Sequence, residues 1–152
     1  MPRNVDLALL LLRMAGLYLA LGHGWGKISS LIAQGSGAGI VKGVAQLGFP
    51  APLVFAWLAG LSEFVGGLCV ALGLFTPIAA AFAAFTMAVA SFGRHHALQQ
   101  LLGLLEVRSV SEEQAKAWGN PELSIVYLLV MVTVGLTGPG AFSLDRALGR
   151  RK

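Results

Sequence analysis

Cysteine is nearly absent from this sequence, with Cys69 standing alone among 152 residues. A lone cysteine excludes an intrachain disulfide and any paired-cysteine redox or metal motif. Inside an apolar run it reads as a small hydrophobe. Charge is scarce as well: 12% of residues are Asp, Glu, Lys or Arg, against 56% hydrophobic, where a soluble domain carries about 25% charged residues. With a mean hydropathy of +0.74, this balance argues for a membrane protein. The net charge of +4 comes without a basic run in a soluble segment, so no nucleic-acid partner is expected. The basic residues flank apolar segments, where anionic lipid and topology account for them. No P-loop, dinucleotide-binding glycine pattern, Ser/His/Asp set or metalloprotease helix occurs. His23, His95 and His96 lack the cysteine and carboxylate company of a metal site, so no metal is expected. The first apolar run is interrupted by Arg13 and ends in LGHGWGK rather than a small-residue cleavage site, so it reads as a retained helix, not a signal peptide.

Four apolar segments are present, over about 5–27, 53–74, 77–93 and 122–137. The first two have the roughly 20 residues that a bilayer-spanning helix needs, and the other two borrow flanking residues. None alternates like a strand, and isolated helices satisfy their own backbone in lipid. The spacing predicts an all-α integral membrane four-helix bundle, one domain over 1–152, with two longer loops on one side and both termini on the other. Segments two and three form a hairpin through Gly73–Pro77, whose proline suits a helix start. The first long link is Gly-rich (QGSGAG) and then helix-like. The second starts with Arg94-His95-His96, an edge suited to lipid headgroups, and continues through LLGLLEV and SEEQAKAW, where Ser111 and Gln114 have capping-box spacing. Glu122 falls in the first turn of the fourth helix, favourably placed for its dipole. Arg3, Arg146, Arg150, Arg151 and Lys152 crowd the terminal side, and Lys27, Lys42, Arg94, Arg108 and Lys116 are spread over the loop side. Charges packed close to the membrane favour cytoplasmic termini. Small residues four apart (Gly22/Gly26, Ala56/Gly60, Gly67/Ala71) suit close helix contact within the chain or with a partner helix.

Glu63 lies near the middle of the second segment, where a carboxylate costs a few kcal/mol or more unless it is paired or faces a polar cavity. Counting about 1.5 Å per residue from opposite faces of a slab about 30 Å thick puts Arg13 and Glu63 within about 6 Å of one another in depth. This predicts an intramembrane polar pair. Two meanings stay open: a clamp between helices, or one wall of a pocket for a substrate, proton or headgroup. At about 100° per residue, Gly24 and Lys27 fall within about 40° of Arg13 on the helix, and His23 about 80° away. Lys27 and His23 are therefore possible neighbours of the site, although Lys27 at the membrane exit can also snorkel. His23, facing Glu63, would serve as a proton relay. Trp25, Trp57, Trp118, Tyr18 and Tyr127 are anchors or the walls of a quinone-sized pocket.

Three stretches, LLLRMAGLYLALGHGWGKI, LGFPAPLVFAWLAGLSEFVGGLCVALGLFTPIAA and PELSIVYLLVMVTVGLTGPGAFSLD, follow one another across most of the chain. In this combination the sequence resembles the DoxX family of small bacterial membrane proteins, related in outline to the DoxD subunit of thiosulfate:quinone oxidoreductase. The matching features are an Arg in the first helix, G-x-x-K at its end, a Glu with paired Gly in the second, and GPG-x-x-SLD closing the fourth. The resemblance implies a multi-pass protein of the bacterial cytoplasmic membrane, in contact with the lipid bilayer. Family members are commonly labelled oxidoreductases, and some are described as parts of membrane redox assemblies. By position, Arg13, Lys27, Glu63 and Asp145 match the family's polar signature, and Gly138, Pro139, Gly140, Ser143 and Asp145 form its loop. The expected function is a membrane subunit of a quinone- or thiosulfate-linked complex, contributing a buried polar site rather than its own redox centre. It would have no covalent cofactor, quinone as a candidate ligand, and membrane, peripheral or identical subunits as partners. A structural assembly subunit and a small-molecule carrier are the alternatives.

Overall fold

The computed structural model describes residues 3–149, most of them helical and none of them in a strand. Arg150, Arg151 and Lys152 of the terminal charge cluster lie outside the described residues. Helix α1 (Arg3–Leu19) runs through a π-helical turn, Ala20–Gly24, into α2 (Trp25–Gln34). A short α3 (Gly39–Gln46) then folds back before α4 (Pro52–Leu72). Helix α5 (Thr76–Ala88) also ends in a π-helical turn, Val89–Arg94. Two short helices, α6 (Ala97–Leu104) and α7 (Glu112–Trp118), lead to α8 (Glu122–Thr137) and a closing turn, α9 (Leu144–Ala147). Pro52 and Pro77 sit in the first turns of α4 and α5, where a missing N–H costs nothing. The Ser111–Gln114 capping box starts α7.

Arg3–Gly37, Pro52–Leu72 and Thr76–Arg94 are each long and apolar enough to cross a membrane. Helices α7 and α8, bent by 49° where they meet, make a fourth span if the pair acts as one. The first segment continues past the expected limit near residue 27. At about 1.5 Å per residue it is longer than the roughly 30 Å hydrocarbon slab. Polarity is distributed as lipid demands. Leu11, Phe82, Phe85 and Leu129 are exposed, whereas Asp6, Arg13, Glu63 and Asp145 are buried. Leu19, Val70, Ala83, Met87, Tyr127 and Met131 form the main core, and Leu31, Ala38, Val41 and Ala56 pack α3 onto α2 and α4. Cys69 packs against the main core as a small hydrophobe.

Glycines set the contact between the first segment and α4. A Cβ on Gly16 would lie 2.6 Å from the Gly67 carbonyl oxygen, and one on Gly67 would lie 2.5 Å from that of Gly16. Further along, a Cβ on Gly24 would lie 2.5 Å from the Phe64 backbone nitrogen. A regular helix would carry Gly24 about 80° away from Gly16. One extra residue absorbed in the π turn returns it to within about 20°, so both glycines meet α4.

Gly24→Ala therefore forces two backbones apart and is expected to cost about 1–3 kcal/mol. Gly26→Ala, where an added Cβ meets nothing within 4 Å, should be neutral or stabilising by up to about 1 kcal/mol. Unfolding midpoints of the purified variants in detergent distinguish the two.

Candidate functional site

The register of α1 against α4 separates the two charges expected to pair. Arg13 reaches the end of α4, where its guanidinium donates to the Ala71 carbonyl at 3.1 Å. The expected Arg13–Glu63 pair does not form. Ala71 lies just over two turns beyond Glu63, about 12 Å along the helix. The sequence-based depth count assumed that both apolar runs begin at membrane faces. The first segment instead extends beyond α4, which moves Arg13 to the level of the α4–α5 turn. The π turn also rotates Lys27 off Arg13's face by about 100°, and Lys27 becomes the ion-pair partner of Glu63 through Oε1.

Arg13 organises the signature loop. It donates to the Pro139 carbonyl and, at 2.7 Å, to that of Phe142. As a cation among the last carbonyls of α4, it also complements that helix's dipole. Asp145 does the reverse at the start of α5, accepting from the backbone N–H groups of Phe75 (3.0 Å) and Thr76 (3.1 Å) and from the Thr76 hydroxyl. The Asp6 carboxylate accepts from the Ala141 N–H at 2.8 Å. Ser143 caps α9 and donates to the Gly140 carbonyl. Gly138 and Gly140 take positive φ. Gly138–Asp145 is thus a latch that ties the start of α9 to α1, α4 and α5. Asp6 escaped sequence reasoning, although a carboxylate at the start of an apolar run was a usable signal.

Glu63, Lys27 and His23 come together elsewhere, lining one cavity of about 530 Å³. Both π turns contribute to its wall, through His23 on the first and Val89, Ala90 and Arg94 on the second. Such turns re-aim side chains and recur at functional sites. Glu63 is fully buried, and its Oε2 has no hydrogen-bond partner among the described residues. Lys27 keeps 31% of its side chain exposed. The His23 ring stands edge-on to Tyr127, with centroids 5.8 Å apart. Leu19, Met87 and Leu123 supply apolar wall, and α3 covers the cavity with Gly39, Ile40, Gly43 and Val44. Arg94, His95 and Asn120 also line it. Arg94 donates to the Ala117 carbonyl and His95 Nδ1 lies 2.7 Å from the Trp118 carbonyl oxygen, whereas His96 stacks on Trp118 outside this lining. Of the five aromatics offered as anchors or pocket walls, Tyr127 lines this cavity, and the α3 glycines were missed, because which turn of α8 or α3 faces Glu63 depends on tertiary packing.

This arrangement, apolar helices around a mostly apolar cavity with a buried ion pair in its wall, defines a class of helical membrane protein with charged side chains buried within its spans. The DoxX family model matches residues 8–96. The inner membrane protein YphA of Escherichia coli is 33% identical over 109 residues, 71% of each chain. The inner membrane protein YqjF of the same organism is 28% identical over 152 residues, 99% of each chain. No solved structure matches. The chain belongs to the DoxX family of membrane proteins.

Lys27→Met leaves the Glu63 carboxylate buried without its counter-charge and is expected to cost about 3–5 kcal/mol. Exchanging the charges, Lys27→Glu with Glu63→Lys, should recover most of that loss. The exchange Arg13→Glu with Glu63→Arg should recover none. Unfolding midpoints of the three variants against the wild type report the outcome.

Proposed function

We propose that the cavity around Glu63 binds a small amphipathic molecule of the quinone class and that the protein acts as a membrane subunit of a redox assembly. The observation that carries this reading is the unpartnered Oε2 of a fully buried glutamate. A buried carboxylate oxygen without a partner is costly, and a bound polar group would satisfy it. The cavity volume lies within the range of small-molecule sites, about 300–1,000 Å³. Its lining suits such a ligand, with apolar wall and the Tyr127 ring beside a few polar groups. Lys27 and Glu63 would hold the polar head, and His23 beside Tyr127 would relay a proton. No three His, Cys, Asp or Glu side chains converge among the described residues. In this reading the electron-carrying centre therefore belongs to a partner subunit. Multi-pass insertion in the inner membrane, with the termini in the cytoplasm, completes the proposal. A purely structural role suits the Arg13 latch, whose guanidinium is engaged by three carbonyls, better than it suits Glu63.

Purification in mild detergent followed by mass spectrometry should recover quinone-class lipid and partner polypeptides. A lone chain carrying neither overturns the reading. In the purified assembly, Glu63→Gln should abolish quinone-dependent turnover while the subunits stay together, and unchanged turnover rejects the site.

A further inference from the structure

We propose that the Lys27–Glu63 pair recognises a hydroxyl group, so that the cavity takes a hydroquinone in preference to the corresponding quinone. This rests on the quinone-class reading above and deepens it. As the anionic half of an ion pair, Glu63 can only accept hydrogen bonds. Its Oε1 is engaged by Lys27 and its Oε2 has no partner among the described residues. The Lys27 ammonium can only donate, and its three N–H groups meet one acceptor among the described residues. Both side chains line the same cavity. A ligand group placed there meets an unsatisfied acceptor beside a donor with capacity to spare.

Only a group that donates and accepts at once satisfies both. A phenolic hydroxyl does so, giving its hydrogen to Glu63 Oε2 and taking one from Lys27. A quinone carbonyl has lone pairs alone. It can accept from Lys27, but it leaves Oε2 unsatisfied and sets two electron-rich oxygens against each other. An ammonium ligand would face the Lys27 and Arg94 cations, and an anion would face Glu63. The Tyr127 ring and the Leu19, Met87 and Leu123 side chains offer the apolar surface that a hydroquinone ring requires.

A hydrogen bond to a charged partner separates the two ligand forms, and its usual net worth corresponds to a ratio of about ten- to a hundredfold. Wild-type protein in lipid nanodiscs is equilibrated with decylubiquinone, or with its dithionite-reduced quinol under argon. Retained ligand is counted by mass spectrometry, with empty discs subtracted. The quinol is expected to bind at least tenfold tighter. In Glu63→Gln, whose amide can donate to a carbonyl, the ratio should fall to within about threefold. Gly43→Leu, which fills cavity space from α3 and leaves the pair intact, should weaken both forms and preserve the ratio. Equal wild-type affinities overturn hydroxyl recognition but leave the quinone-class reading standing. No binding of either form overturns both. Unchanged affinities in Gly43→Leu place the ligand outside this cavity and overturn the proposal. The wild-type ratio and Gly43→Leu decide the matter even if Glu63→Gln fails to fold.

Discussion

Two helix backbones meet where α1 and α4 bring the Gly16 and Gly67 carbonyls so close that neither residue has room for a Cβ. In lipid there is no hydrophobic drive between apolar helices, so close packing through small residues sets their association. Once that contact is made, the register of the first two spans is decided, and with it the partners of Arg13 and Glu63. Arg13 falls beside the end of α4. Gly24 falls beside Glu63 and Phe64, which places Lys27 within reach of the Glu63 carboxylate.

The π turn at Ala20–Gly24 makes one long helical segment serve both contacts. Without the extra residue, the stripe facing α4 would drift around the helix by about 100°. With it, the buried positions Arg13, Gly16, Ala20, Gly24 and Ile28 stay on one side. The second π turn, Val89–Arg94, lies across the same cavity. Local departures from regular helix therefore frame the space around Glu63.

Each polar centre leaves one buried side-chain atom without a partner among the described residues, Arg13 Nε at the latch and Glu63 Oε2 beside the cavity, but only Glu63 lines a space that a ligand can enter. At the latch, Arg13, Asp6 and Asp145 each meet backbone groups of the Gly138–Asp145 loop or of the α4–α5 turn. Breaking that network would expose buried polar groups to a medium without water, so it holds the fold. In the cavity, Glu63 Oε2 retains bonding capacity that the described residues do not use. The four residues Arg13, Lys27, Glu63 and Asp145 thus divide between two places, Arg13 and Asp145 at the latch and Lys27 with Glu63 at the cavity.

The sequence by itself determined the helical class, the apolar spans, the hairpin at Pro77, the capping box at Ser111 and family membership, because each depends on local composition, spacing or motif. It also marked Glu63, Arg13, Lys27 and His23, since a polar side chain in an apolar run stands out wherever it points. What it did not determine was the pairing. An estimate counted from segment ends joined Arg13 to Glu63, but the glycine contacts shift the helices and the π turn rotates Lys27. Neither effect has a local signature: a π turn persists only where packing on both sides rewards it, and an interhelical register is a property of two surfaces in contact. The cavity, too, exists only once α3, α8 and both π turns close around Glu63. Tertiary structure alone decided that Lys27 is the counter-charge and that one carboxylate oxygen is left open.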